Sequence, residues 1–169
     1  MFSSLRRQVC LVGLLALTLY GPTQALEAPK GPVVLSMSGH ITQKNAADRA
    51  NFDMDMLAAL PQHTFTTNAP WFAGPRQFTG PLLRDVLTAV GAQGKTLRAV
   101  ALNNFKTDIP ADDAVQFPVI IALLMEGKRM PIREKGPLFI VYPYDTDIEL
   151  QSTRYYNRSA WQLRAIEVQ

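Results

Sequence analysis

"FTGPLLRDVLTAVG", residues 78–91, is the stretch on which the fold turns. Pro81 suits the first turn of a helix, because its missing N–H would be unpaired there anyway. Leu82, Leu83, Val86, Leu87 and Val90 recur at a spacing near 3.6 and form one apolar stripe, and Gly91 can terminate the helix. The spacing therefore predicts a helix over 81–90 whose stripe must be buried against something. What flanks it is β-rich, so the helix is expected to pack on a sheet.

Upstream, "FDMDMLAAL" (52–60) reads as a short helix with Asp53 as its N-cap and Pro61 as its stop, with Phe52, Met56, Leu57 and Leu60 on one face. "VVLSMSGHIT" (33–42) reads as a strand broken at Gly39, "HTFTT" (63–67) as a second strand, and "WFAGPRQFTG" (71–80) as a loop. Downstream, "TLRAVALN" (96–103) is a strand, and "PADDA" (110–114) is a candidate for a single helical turn. "PVIIALLMEGKRM" is a strand running into a turn at Gly127, "GPLFIVYPYD" a buried strand, and Trp161–Val168 the last strand. Helices early and strands late, joined by short links, predict one α+β domain around a mixed sheet with few short helices.

The chain has 169 residues, but the first 25 read as a removable leader. "MFSSLRR" is basic, "VCLVGLLALTLY" is apolar but too short for a comfortable span of about 20 residues, and "GPTQA" places small residues before a cleavage point after Ala25. The alternative is an uncleaved N-terminal anchor. The leader reading predicts a soluble periplasmic protein formed by residues 26–169. Removing Arg6 and Arg7 leaves 15 basic against 14 acidic side chains, which gives no argument for nucleic acid or an anionic membrane. Cys10 is the one cysteine and lies in the leader, so the remainder offers no thiolate for metal, disulfide or nucleophilic chemistry. His40 and His63 stand alone, without metal-ligand spacing.

Three polar-aromatic segments follow apolar runs: Asn68 to Trp71, Asn103–Asn104–Phe105, and Tyr155 to Ser159 with Arg158 between them. Tyr142 and Tyr144 make a fourth. Strand ends often converge on one side of a sheet, and these would supply amides, one guanidinium and several rings without an acid–base pair or nucleophile. That chemistry favours holding a planar, hydrogen-bonding heterocycle over catalysis by side chains. Each residue also has a structural role open to it. Asn68 can cap its own turn, Trp71 can anchor its loop on the core, Arg158 can form a surface ion pair, and Asn103–Asn104 can make an ordinary turn. Trp161 reads as core, and "DTDIE" (145–149) as a plain acidic loop.

Taken in order, "VVLSMSGHIT", "FDMDMLAALPQHTFTTNAPW", "FTGPLLRDVLTAVG", "ALNNFKTDIP", "MEGKRMPIREKGPLFIVYP" and "YNRSAWQLRAIEV" resemble the molybdopterin-binding domain of the sulfite oxidase superfamily. The most specific pieces are the G-x-L-L-x-D-V-L helix, the G-K-x-x-P…G-P-L hairpin and the final Trp161 strand. The resemblance implies that fold and a pterin-sized pocket. It also implies a molybdenum-ligating Cys where this sequence has Asn68, and a neutral carboxamide is a poor replacement for a soft thiolate. The Pro70–Trp71 pair and Arg158–Ser159–Ala160–Trp161–Gln162–Leu163 look like the small periplasmic pterin-binding proteins of the PruR type, which lack that cysteine. That likeness implies a bound reduced pterin without metal, and a partner in the periplasmic domain of an inner-membrane signalling protein, a cyclic-di-GMP enzyme or sensor kinase. Asn68, Trp71, Asn103, Asn104, Phe105, Tyr155, Arg158 and Ser159 are the ligand-binding candidates, with no catalytic or metal residue expected. The loop 71–80 is the candidate reporter of occupancy. The competing expectation is a small molybdopterin-dependent oxidoreductase with an atypical ligand set.

Overall fold

Asp53 starts the first helix as its sequence position predicts. In the computed structural model, which describes residues 26–169, its carboxylate accepts the Met56 N–H at 2.8 Å and caps α1 (Met54–Ala59). The other oxygen accepts from the N–H groups of Lys30 and Gly31, tying the lead-in to the helix. These donors, that of Met56 foremost, hold the Asp53 carboxyl below the usual carboxylate range. The expected leader, 1–25, lies outside the described residues.

Eleven strands and four α-helices follow among the described residues, in an α+β arrangement. The main sheet runs β2 (Ala50–Phe52), β1 (Leu35–Gly39), β11 (Leu163–Val168), β5 (Thr96–Ala101), β6 (Lys106–Pro110). It is mixed: β1 and β11 pair in parallel, Ser36 opposite Ala165 and Gly39 opposite Val168, and every other pairing in it is antiparallel. The chain's first and last strands are therefore neighbours at the sheet's centre. A second sheet has the order β3 (Gln62–Thr67), β4 (Arg76–Pro81), β8 (Leu124–Met125), β9 (Lys128–Arg129). A two-stranded sheet pairs β7 (Ile120–Ala122) with β10 (Phe139–Val141), both buried throughout. The buried apolar residues form one continuous core, in which Phe52, Phe78, Phe139, Tyr142 and Tyr144 are the largest fully buried side chains. No helix among the described residues is long and apolar enough to cross a membrane.

Several expected boundaries move, each for a physical reason. The central helix, α2, covers Leu83–Ala89 rather than 81–90, because Gly80 and Pro81 still pair with His63 and Gln62 of β3. Gly80 lies so close to β7 that an added Cβ would sit 2.0 Å from the Ile121 carbonyl oxygen. Four residues of the expected stripe, Leu82, Leu83, Val86 and Val90, are at most 2% exposed, while the fifth, Leu87, is only partly buried. The segment 71–80 is a loop only in its first half, since Arg76 onward is β4, paired on both sides by β3 and β8. "PADDA" becomes α3 (Asp113–Gln116), one turn shifted later. Residues 153–158, to which the sequence reading assigns no element, form α4 (Thr153–Arg158). Trp161 precedes the last strand and makes one isolated bridge to Phe139.

Candidate functional site

The turn from β5 to β6 builds one wall of a pocket. Asn104 adopts a left-handed conformation (φ 66°), which Asn tolerates, and its N–H donates to the Ala101 carbonyl. Asn103 Oδ1 accepts the Phe105 N–H at 3.0 Å, so its carbonyl oxygen locks the turn while its two amide N–H donors are left for other work. Phe105 is thereby held half out of the protein, at 52% exposure. An irregularity in β11 serves the same corner. The register slips between Leu163 and Ala165, and Arg164 is turned so that its guanidinium donates to the Ala101 carbonyl and to Asn104 Oδ1.

The opposite wall comes from α4 and the segment that leads into β11. The Tyr155 ring is buried there, with its hydroxyl donating to Glu149, and Tyr156, Asn157 and Ser159 turn toward the pocket. Ser159 is 3% exposed; its Oγ donates to the Tyr155 carbonyl and pairs with the Tyr144 hydroxyl. Burial pushes the hydroxyls of Tyr142 and Tyr144 far above the ordinary phenol range, so both remain neutral hydrogen-bonding groups.

Trp71 closes the pocket. It stands edge-on to Phe139, Tyr144, Tyr156 and Trp161, with ring centroids 5.6, 6.3, 5.9 and 5.2 Å away. This is the loop-anchoring role, and the same ring also lines the cavity. Lys135 caps the cluster from outside: its Nζ lies 3.9 Å from the centre of a Trp161 ring and 5.5 Å from that of Trp71. Burial lowers its pKa from the ordinary lysine value.

The resulting cavity holds about 290 Å³, close to the lower end of the ~300–1,000 Å³ usual for small-molecule sites. Trp71, Phe105, Tyr156 and Trp161 supply rings, Asn103, Asn157 and Ser159 supply polar groups, and Ala101 and Ala160 complete the lining. No side chain in that lining carries a charge. It can bind and orient a flat, neutral, hydrogen-bonding molecule, and it holds no acid–base pair.

Of the sequence candidates, Trp71, Asn103, Phe105 and Ser159 meet here. Asn104 stands just behind, holding Arg164. Tyr155 and Arg158 do not reach the lining. Arg158 Nη1 instead donates to both carboxylate oxygens of Asp113, at 3.1 and 2.8 Å, and Asp113 Oδ2 also accepts the Tyr142 hydroxyl at 2.7 Å. The expected alternative of a surface ion pair is corrected too: Arg158 and Asp113 side chains are only 19% and 6% exposed. Asn68 lies in a separate, shallower cleft on the other side of Tyr156. Its backbone N–H and its Nδ2 both donate to Asp145 Oδ2, at 2.8 and 3.0 Å, and Asp145 N–H donates to Thr67 Oγ1. The carboxamide clasps the end of β3 to the turn after β10. Sequence reasoning missed Tyr156, Asn157 and the pocket-facing part of Trp161, as well as Asp113.

A profile of the oxidoreductase molybdopterin binding domain matches residues 40–146, more than half of the chain. The chain belongs to that family. The match runs from the end of β1 to the turn that carries Asp145, and so spans the pocket's Trp71, Asn103 and Phe105. No curated protein matches the chain. The domain's own residues divide the family's cofactor in two. The aromatic, amide-bearing pocket fits a pterin ring. The metal side fits poorly: Asn68, where the resemblance puts the family's thiolate ligand, is a neutral carboxamide already engaged with Asp145.

Proposed function

We propose that this domain is a periplasmic pterin-binding protein that works without molybdenum and reports pterin occupancy to a membrane-bound signalling partner. The observation that carries the reading is the uncharged pocket between the β5–β6 turn and α4, walled by four aromatic side chains and carrying Asn and Ser groups at its polar edge. A pterin is flat, with a row of donors and acceptors along its pyrimidine edge. The rings would shield its faces, and the free Asn103 amide donors and the Asn157 carboxamide would read that edge. Nothing in the lining can take up or deliver a proton at neutral pH, so the chemistry it supports is binding, orientation and exclusion of water. The leader-like sequence of residues 1–25 supports export.

Anaerobic calorimetry of the purified protein with a reduced pterin tests this, together with elemental analysis of protein from molybdenum-replete cells. The expected result is one pterin per chain and no stoichiometric molybdenum. Truncating Asn103 to alanine is expected to weaken pterin binding about tenfold, the effect of losing ~1.4 kcal/mol. One molybdenum per chain would instead favour the oxidoreductase reading that the family name suggests.

A further inference from the structure

Lys135 sits where a turn alone would not ask for a lysine. It ends the 3₁₀ turn Ile132–Glu134 in a left-handed conformation (φ 75°), a position that glycine or asparagine fills at less cost. The turn is fastened to the residue after Trp161 at two points. The Lys135 carbonyl accepts the Gln162 N–H at 2.8 Å, and the Gln162 carboxamide donates to the Ile132 carbonyl at 2.8 Å. Next along the chain, Gly136 packs so closely on Met130 that an added Cβ would lie 1.8 Å from its carbonyl oxygen. The root of the lysine stem is therefore fixed. Its ammonium stands 3.9 Å from the centre of a Trp161 ring, 5.5 Å from that of Trp71 and 5.7 Å from that of Phe72. None of the seven ion pairs among the described residues includes it. The three rings take the place of a carboxylate, because the face of an aromatic ring is the negative part of its quadrupole.

We infer that Lys135 selects the pocket's occupant by charge: it favours a planar aromatic molecule that carries an anionic substituent and rejects one that carries a cation. The inference deepens the pterin reading and rests on it. Trp71 and Trp161 hold the ammonium and also line the cavity, so Lys135 and an occupant share the same two rings. The lining contains no charged side chain to oppose that field, and a half-buried charge packed on rings is screened less than one in water. Glu134, its neighbour in sequence, pairs with Arg133 at 3.5 Å instead. Burial lowers the Lys135 pKa, as expected for an ammonium that has exchanged water for rings rather than for a carboxylate. A neutral pterin ring is held by the aromatic walls and the amides alone. A carboxylate on its rim adds attraction to Lys135, and an ammonium there adds repulsion. Lys135 is thus a specificity residue that acts through its field, and its loss changes what the pocket prefers rather than whether it binds.

The test begins without a ligand. The chain's two tryptophans, Trp71 and Trp161, both line the pocket, so their fluorescence reports the charge there. Quenching by iodide, caesium and acrylamide is measured on the full chain, on Lys135→Met, which keeps an unbranched stem, and on Lys135→Arg, which keeps the charge. Iodide is expected to quench the parent more than caesium does. That ratio should fall about threefold in Lys135→Met and survive in Lys135→Arg, with acrylamide quenching unchanged in both. Calorimetry then compares a pterin carrying a carboxylate with the same pterin carrying an aminomethyl group. The parent should prefer the carboxylate, and Lys135→Met should narrow the preference about tenfold while binding the unsubstituted pterin as the parent does. An iodide-to-caesium ratio that is the same in the parent and in Lys135→Met, or a carboxylate preference that survives in Lys135→Met, overturns charge selection by Lys135. The two readings fail separately. Pterin binding without the quenching contrast sinks the role of Lys135 alone, and the contrast without pterin binding sinks the pterin site alone.

Discussion

Asp113→Ala is expected to destabilise the fold by about 3 kcal/mol, the lower end for a buried pair, because it leaves the partly buried Arg158 guanidinium without its counter-charge. For a chain of this size each kcal/mol shifts the melting temperature by roughly 2–4 °C, so a fall on the order of 10 °C is the expected reading. Two donors lose their acceptor at once, since the Tyr142 hydroxyl also ends on Asp113. Asp113→Asn should recover little: it keeps an acceptor for Tyr142 but not the charge that Arg158 needs. The informative comparison is the triple variant Asp113→Leu, Arg158→Met, Tyr142→Phe, which removes all the polar groups together. Buried ion pairs replaced by apolar residues of similar volume often lose nothing. The triple variant should therefore melt well above Asp113→Ala. A single variant Asp113→Ala that melts within about 2 °C of the parent would show that Arg158 finds water or another acceptor, and the link between α3 and α4 would fall with it.

That ion pair also shows where sequence reading stops. Arg158 was identifiable as a functional candidate from its neighbours, but its partner is 45 residues away, and no local pattern connects them. The parts of the fold that were legible are those with strong local signals. The stripe of α2, the Asp53 cap of α1 and the apolar runs of β7 and β10 each impose a structure on their own. The parts that were not legible take their structure from neighbours. β4 contains Gly80 and Pro81, both poor in strands, and is a strand because β3 and β8 pair with it and Phe78 is fully buried. β6 ends in Pro110, which the edge of a sheet tolerates. α4, "TRYYNR", has few strong helix formers, and its Ser152 N-cap makes no side-chain cap. Without that helix the phase of 155–159 is invisible. Tyr155 and Arg158, spaced i, i+3, share its inner face, while Tyr156, Asn157 and the C-cap Ser159 are turned to the pocket. Residues at strand ends, such as Asn103 and Phe105, needed no such phase and could be found.

Trp71→Ala is expected to act on stability and on ligand together. Removing a large aromatic side chain from a packed site costs about 3–5 kcal/mol, and the lower end applies to this half-buried ring. Four edge-to-face neighbours lose their partner, contacts that contribute ~0.5–1.5 kcal/mol per pair beyond the area they bury. The Lys135 ammonium loses one of the rings it lies over, though the Trp161 ring 3.9 Å away keeps it in place. The loop between β3 and β4 then keeps the Asn68–Asp145 clasp and the Phe72–Phe78 contact. At the pocket, an aromatic wall is replaced by a methyl group and solvent, and affinity for a reduced pterin is expected to fall at least about tenfold. Trp71→Phe separates the two effects. It keeps a ring against Phe139 and Tyr144, so most of the stability should return, but it is smaller and leaves the cavity wider. The expected order in calorimetry is parent, then phenylalanine, then alanine. A folded Trp71→Ala that binds the pterin as tightly as the parent would remove this cavity as the pterin site and direct attention to the Asn68 cleft across Tyr156.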